Sequence, residues 1–244
     1  GSIFAATPVS GPTAKYYKQL TRMSSALAFT SDVTMGVLGG ELKRMENLSA
    51  RLGDILSELY MASAVLKYYY DNGETAEDLP HAEWCVQLSL YNIQNAFEEF
   101  FANFPNRFIA RMLKLVVLPL GRSYNKPSDK LHNQIATMMM EPTALRDRLT
   151  NEAYFGTDSE DVTGRMENAF NALIAIEPVY NRFLKAVAKG QAEGLVIADQ
   201  LKSAVEKKIL TQEEANQVAE FDVQRIDALA TDEFTQDYIA GKQV

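Results

Sequence analysis

The apolar residues between positions 48 and 69 recur at alternating spacings of four and three, which places them on one face of an α-helix. The set comprises Leu48, Leu52, Ile55, Leu59, Ala62, Leu66 and Tyr69. A second set with the same rhythm lies upstream and comprises Tyr16, Leu20, Met23, Leu27, Thr30, Thr34 and Val37. The pattern therefore predicts two long amphipathic helices, joined by a short polar break near residue 46.

Three glycines fall near the end of the first predicted helix, at Gly36, Gly39 and Gly40. A glycine inside a helix costs about 1 kcal/mol relative to alanine, so three within five residues need a reason. One reason is a close helix crossing, because Gly36 and Gly40 share a helix face, and another is a helix end. We expect the crossing, which predicts that large side chains at Gly36 or Gly40 unfold the bundle.

Shorter apolar patterns, bounded by Pro, Gly and capping residues, predict further helices over about residues 80–104, 106–118, 128–140, 143–150, 165–189 and 196–208. Pro178 is expected to kink or restart the helix that contains it. Thr211 and Glu214 form the pattern of a capping box, so the chain should end in a helical hairpin. No alternating apolar run predicts a strand, and the fold class is therefore all-α.

The expected domain organisation follows from these elements. Gly1 and Ser2 resemble a cloning remnant, and residues 1–12 as a whole are predicted to be a linker. Residues 13–190 are predicted to form the helical bundle. Residues 191–244 are predicted to form the helical hairpin and an acidic tail, packed on the same domain.

Composition restricts the class of protein. Hydrophobic residues make up 47% of the 244-residue chain and charged residues 23%, as in ordinary globular domains. The net charge of −8 argues against nucleic acid as a partner, because phosphate binding needs a concentrated positive surface. The single Cys85 favours a reducing compartment, and no apolar run approaches the length of a membrane span. We therefore expect a cytoplasmic protein.

The charge is distributed unevenly, and residues 103–128 contain five bases and no acid. Arg107, Arg111 and Lys114 are spaced by four and three, so they share one face of a short helix, and Arg122 follows. A basic face beside a broad apolar face suits an anionic membrane surface. The alternative is a helix that packs on the bundle and directs its cations to acidic neighbours. The four bases are the candidate membrane or partner surface.

Other residues have weaker claims to chemistry. Asp78 with His81, and Asp129 with His132, repeat a carboxylate–histidine spacing found in two-metal sites, yet both pairs lie at predicted helix ends, where capping is the simpler role. Cys85 has no neighbouring base that would activate it. The triplets at residues 68–70 and 138–140, three tyrosines and three methionines, suit either an acyl-chain groove or the core. No metal ligand or catalytic residue is therefore assigned.

Several ordered motifs resemble the C-terminal extension of bacterial FadE-type acyl-CoA dehydrogenases. They begin with "MGVLGGELKR" at 35–44 and "SARLGDILSELYMASAVLK" at 49–67. "NFPNR" at 103–107, "LPLGR" at 118–122, "PSDKLHNQIA" at 127–136 and "EPVYNRFLKA" at 177–186 follow in the same order. The resemblance covers about residues 14–188.

The resemblance implies a fold like the extra C-terminal helical domain of very-long-chain acyl-CoA dehydrogenases. It implies that the parent enzyme uses FAD to introduce an α,β double bond into fatty acyl-CoA in β-oxidation. The family's FAD-binding and catalytic-base motifs match no position here, so this segment is predicted to bind no FAD and to be non-catalytic.

The resemblance also suggests partners. They are the catalytic domains of the same chain, fatty acyl-CoA for the parent enzyme, a second copy in a homodimer, and the inner face of the membrane. A packing, dimerisation or membrane-placing role is expected. The alternatives are a free-standing helical interaction module, and a bundle that lines the site for long acyl chains.

Overall fold

Every regular element among residues 6–156 and 161–230, which this computed structural model describes, is helical, and the all-α prediction is confirmed. A 3-10 helix, Gly39–Arg44, follows the first α-helix. The α-helices are α1 (Ala14–Leu38), α2 (Glu46–Asp71), α3 (Leu79–Asn103), α4 (Arg107–Val117), α5 (Asp129–Met139), α6 (Ala144–Thr150), α7 (Val162–Ala188), α8 (Ile197–Glu206) and α9 (Gln212–Leu229). The start of the predicted linker and most of the predicted acidic tail lie outside the described residues.

The chain divides into two compact units, Gly1–Arg146 and Asp147–Val244. The division falls within α6, whereas the predicted bundle ran to residue 190. The prediction failed because α7 packs with α8 and α9 and shares a separate core with them. The predicted hairpin is present, and its packing partner is α7.

In the first unit α1, α2 and α3 run up, down and up. The Tyr17 hydroxyl near the start of α1 donates to the carbonyl of Leu66 near the end of α2, at 3.3 Å. Arg51 near the start of α2 forms an ion pair with Glu99 near the end of α3, at 3.5 Å. These contacts make α2 antiparallel to both neighbours, as expected for helices joined by short loops.

Helix α3 is the centre of the first unit. It packs against α1, α2, α4 and α5, and it has more buried side chains than α1 or α2. At its C-terminal end Phe97, Phe100, Phe101 and Phe104 are buried, with neighbouring ring centroids 5.6–5.8 Å apart. Aromatic pairs at these separations contribute about 0.5–1.5 kcal/mol beyond the area that they bury. The C-terminal half of α3 is therefore anchored by a buried aromatic cluster.

The predicted close helix crossing at Gly36 and Gly40 is wrong. Both glycines are exposed, and a Cβ added at either would meet no atom of another described element within 4 Å. The alternative explanation, a helix end, fits the structure. Gly39 caps α1 with a φ of 51°, and its N–H bonds to the carbonyl of Met35.

Gly73 ends α2 as the sequence predicts. Its φ is 87°, and its N–H donates to the carbonyl of Tyr70 while that of Glu74 donates to the carbonyl of Tyr69. This pair of bonds is the Schellman motif, which needs a left-handed residue at the first position. At the start of α2 Met45 occupies the N-cap position, without a capping hydrogen bond from its side chain.

The second unit is a three-helix cluster built on α7. Phe183, Leu201, Leu210 and Val218 form its buried centre with several alanines. Pro178 lies inside α7, which continues through it, so the helix does not restart there, and the kink stays a prediction. At the start of α9 both bonds of the predicted capping box are present, between Thr211 and Glu214.

We expect Gly36→Ala to stabilise the protein by up to about 1 kcal/mol, since Gly36 is helical, exposed and unobstructed. Gly73→Ala meets no steric obstacle either, yet it should destabilise by about 1 kcal/mol because of its positive φ. Urea denaturation of both variants measures the difference. A loss of stability in Gly36→Ala would instead support a close helix crossing at Gly36.

We expect acid to weaken residues 161–230 selectively. Hydrogen bonds from Thr163 lower the pKa of Asp161, and the Lys207 and Arg182 side chains lower the pKa values of Glu193 and Glu214. A pKa that folding lowers stabilises the fold above the unfolded value, and this contribution is lost as the pH falls. The protection of this segment against hydrogen exchange should therefore decrease as the pH drops below about 4.5, the ordinary value for glutamate.

Glu214→Gln is the control for the acid effect. It removes one of the three lowered pKa values, so the loss of protection between pH 5 and pH 3 should be smaller than in the parent chain, after correction for intrinsic exchange rates. Equal protection of the parent chain at pH 7 and pH 3 would contradict the prediction.

Candidate functional site

One stripe of α3 supports four basic side chains. Tyr91, Asn95, Glu98 and Ala102 are spaced by four, three and four residues, so they lie on one helix face. The chain from α4 to the start of α5 runs back along this stripe and places one base at each position. We call these bases, Arg107, Lys114, Arg122 and Lys126, the basic ladder.

Each base of the ladder has a defined partner on α3. The Arg107 guanidinium donates to the carbonyl of Ala102 at 2.6 Å, at the C-terminus of α3, where the helix dipole favours a cation. Lys114 forms an ion pair with Glu98 at 2.5 Å.

The other two bases of the ladder contact uncharged groups. Arg122 donates to the Asn95 carbonyl oxygen, and the Lys126 ammonium lies 5.4 Å from the centroid of the Tyr91 ring. The ladder is thus a fixed array, in which one base of the four meets a carboxylate.

The connector between α4 and α5, residues 118–128, is held against α3 by a buried glutamine. The Gln94 side chain is 0% exposed; its amide donates to the carbonyl of Tyr124 at 3.0 Å, and its oxygen accepts from the Tyr124 N–H at 2.9 Å. Arg22 of α1 adds bonds to the Tyr124 hydroxyl at 3.3 Å and to the Val117 carbonyl at 2.6 Å. These bonds fix the positions of Arg122 and Lys126.

The ladder leaves positive charge uncompensated around Tyr91. Among the described residues, no carboxylate lies within ion-pair distance of Arg122 or Lys126. A hydrogen bond with Asn95 and the charges of Lys126 and Arg122 lower the pKa of the Tyr91 hydroxyl. The site therefore favours a negative group.

Helix α4 has three faces, because successive residues turn by 100°. Ala110, Leu113 and Val117 are buried against the bundle. Arg107 and Lys114 point to α3, and Arg111 lies between Arg107 and Leu115 in the helical projection. The third face is apolar and exposed, and we call it the outer stripe: Phe108, Met112, Leu115 and Val116.

The outer stripe lies nearly opposite the buried face. Phe108 is 74% exposed and Leu115 62%, so the stripe contributes little to the core. Leu120, just after α4, is 87% exposed and extends the apolar surface towards Arg122. Asn106 fixes the start of the helix, since its side chain accepts from the N–H groups of Phe108 and Ile109. Exposed apolar patches on ordered elements commonly mark interaction sites.

The structure separates the four predicted surface bases. The alternative of a cation directed to an acidic neighbour holds for Lys114, whereas Arg107 and Arg122 meet uncharged oxygens. Arg111 is exposed, and its guanidinium has no hydrogen bond or ion pair in the described part of the chain. Sequence reasoning missed Lys126 and Gln94 as site residues, although the acid-free stretch includes Lys126.

An open groove of about 460 Å³ lies between α1 and α2. It is lined by Tyr17, Leu20, Thr21, Ser24, Ser25, Leu27, Leu56, Leu59, Tyr60, Ser63 and Leu66, and none of the six tyrosines and methionines proposed for an acyl-chain groove lines it. The lining is uncharged, so it does not fit FAD, whose pyrophosphate needs cations or free N–H groups. That this segment binds no FAD stays a prediction.

The remaining candidates do not form a reactive centre. No group of three His, Cys, Asp or Glu side chains in residues 6–156 and 161–230 is arranged to hold a metal. Burial raises the pKa of the Cys85 thiol, which disfavours the reactive thiolate. Within the same residues, no helix combines the length and the apolar character needed to cross a bilayer.

We expect Gln94→Leu to destabilise the protein by roughly 2–3 kcal/mol, because it leaves the N–H and C=O of Tyr124 without partners. Gln87→Leu is the matched control, since it removes one partly buried bond, to the Tyr16 hydroxyl, and should cost about 1 kcal/mol. Urea denaturation gives both values, and hydrogen exchange of the Tyr124 amide reports the connector. Equal costs for the two variants would show that Gln94 does not hold the connector.

Comparison with known proteins identifies the family. No solved structure matches the chain, so the expected likeness to the extra domain of very-long-chain dehydrogenases stays a prediction. The family model described as "Acyl-CoA dehydrogenase, C-terminal, bacterial type" matches residues 1–234. This span includes both units and the whole basic ladder. The chain therefore belongs to the family of bacterial-type acyl-CoA dehydrogenase C-terminal domains.

Proposed function

We propose that this chain is the accessory C-terminal domain of an FAD-dependent acyl-CoA dehydrogenase of fatty acid β-oxidation, and that it places the enzyme at an anionic membrane surface. The parent enzyme would convert fatty acyl-CoA to trans-2-enoyl-CoA through catalytic domains outside this chain. The family match supports the enzymatic context. The observation that carries the membrane role is that α4 presents a base and an apolar stripe outward together.

The position of Arg111 beside the outer stripe supports the membrane role. A helix that serves its own core buries its apolar face and directs its polar face to water. Helix α4 buries only one of its two apolar faces, and the exposed one includes Phe108 and Leu115. Such a helix, lying in the plane of a membrane, inserts its apolar face while its bases meet the headgroups.

The magnitudes are sufficient for reversible binding. Each base near an anionic surface contributes about 1 kcal/mol, and full burial of a Phe or Leu side chain contributes about 1.5–3 kcal/mol. Arg111 and Arg122, together with the outer stripe and Leu120, therefore favour binding by several kcal/mol. The bases make that binding dependent on salt.

Sedimentation with vesicles tests this role. We expect the chain to bind phosphatidylglycerol vesicles, to bind neutral vesicles more weakly, and to dissociate as salt is added. Arg111→Glu should weaken binding by about tenfold or more, since it reverses one surface charge. Leu115→Ser should weaken it on both vesicle types.

Matched controls are available within the chain. Lys43→Glu makes the same charge reversal as Arg111→Glu, but at an exposed base of the 3-10 helix, outside α4. Leu229→Ser removes an exposed leucine of the second unit. Neither should alter binding. Equal binding by Arg111→Glu and the parent chain would contradict the membrane role.

The exposure of the outer stripe also supports a second candidate, in which it packs on a second copy of the chain. This candidate predicts that Leu115→Ser lowers the molar mass measured by light scattering, in the isolated chain or in the full-length enzyme. It also predicts that anionic vesicles have no effect.

A further inference from the structure

We propose that Arg122 and Lys126, held against Tyr91 and Asn95 of α3, form a binding site for a phosphate group. The site is the end of the basic ladder that lies beyond α4. It goes beyond the proposed membrane role, because a phosphate on a soluble molecule would also bind there. The inference rests on the membrane role only where the phosphate belongs to a lipid headgroup.

The first argument is pre-organisation. Arg122 and Lys126 belong to a connector without regular structure, yet the two bonds between Gln94 and Tyr124 lie between them and fix the backbone. Arg122 is further oriented by its bond to Asn95, and Lys126 by the Tyr91 ring. Since Tyr91 and Asn95 lie one helical turn apart, the two cations lie side by side. A pre-ordered pair loses little entropy when it binds an anion.

The second argument is charge balance. The nearby carboxylates have other partners: Glu98 pairs with Lys114, Glu99 with Arg51 at 3.5 Å, and Glu58 accepts from Asn92. Asp129 begins α5, three residues after Lys126, and no ion pair joins the two. The two cations therefore match the charge of a phosphate monoester dianion.

The third argument is donor capacity. The Arg122 guanidinium carries five N–H donors and uses some of them for Asn95 and the Tyr91 hydroxyl, so its remaining N–H groups can bind phosphate oxygens. The Lys126 ammonium supplies up to three donors, and the Tyr91 hydroxyl is a further donor within the same site. Phosphate, with several acceptor oxygens, uses this set more fully than a carboxylate does.

Titration of the isotope-labelled 244-residue chain with inorganic phosphate, followed by NMR, tests the proposal. At constant ionic strength, phosphate should shift the Arg122 Nε–H and the amides of residues 122–126 saturably, and acetate should shift them less. Arg122→Gln and Lys126→Gln should each weaken binding about tenfold. Lys43→Gln, a control outside the ladder, should leave it unchanged.

Unchanged shifts for the buried residues Gln94, Phe97 and Phe100 of α3 verify that each variant keeps its fold. Shifts that do not saturate, or that persist in both Gln variants, would overturn the proposal. Vesicle sedimentation of the same variants separates the two sources of phosphate. Phosphate binding without vesicle binding keeps this site and refutes the membrane role, whereas vesicle binding that is equal in all variants, without phosphate binding, refutes this site alone.

Discussion

The two hydrogen bonds between Gln94 and Tyr124 are the interaction on which the basic surface depends. A fully buried glutamine is costly unless its amide is paired, and here the backbone of one connector residue, Tyr124, satisfies both its oxygen and one of its N–H donors. A leucine would fill the same volume, but it would give the connector no register along α3. Register matters because a shift of one or two residues along the helix would separate Arg122 from Asn95 and Lys126 from Tyr91.

This dependence explains which parts of the site the sequence predicts. The acid-free segment and the helix over Arg107–Val117 follow from composition and periodicity, and the structure confirms that helix. The partners of these bases cannot be predicted from composition or periodicity. Tyr91, Asn95 and Glu98 become candidate partners only when the connector is known to run back along α3. The apolar pattern also made α1 and α2 seem central, whereas α3, with more of its surface buried, is the element that the others contact.

The wrong helix crossing at the glycines and the absence of a restart at Pro178 have a common physical origin. Residues four apart on a helix share a face whether or not another helix packs there, so the spacing of Gly36 and Gly40 cannot distinguish a crossing from an end. The left-handed φ of Gly39 decides for the end. Pro178 likewise removes one backbone donor, but tertiary packing of α7 with α9 maintains the helix across it.

The net charge of the chain does not reveal how charge is distributed within the first unit. Residues 1–146 contain 14 Lys and Arg and 14 Asp and Glu, whereas residues 147–244 contain 10 and 18, so the second segment carries the whole charge of −8. The formal charges of the first unit sum to zero, yet the basic ladder lies along one stripe of α3, and Arg111 lies beside it on α4. Screening limits exposed charges to a range of about 10 Å, so an approaching anion responds to this local array rather than to the total. An acidic protein can therefore hold a surface for anions, provided that a buried contact such as that of Gln94 keeps the bases together.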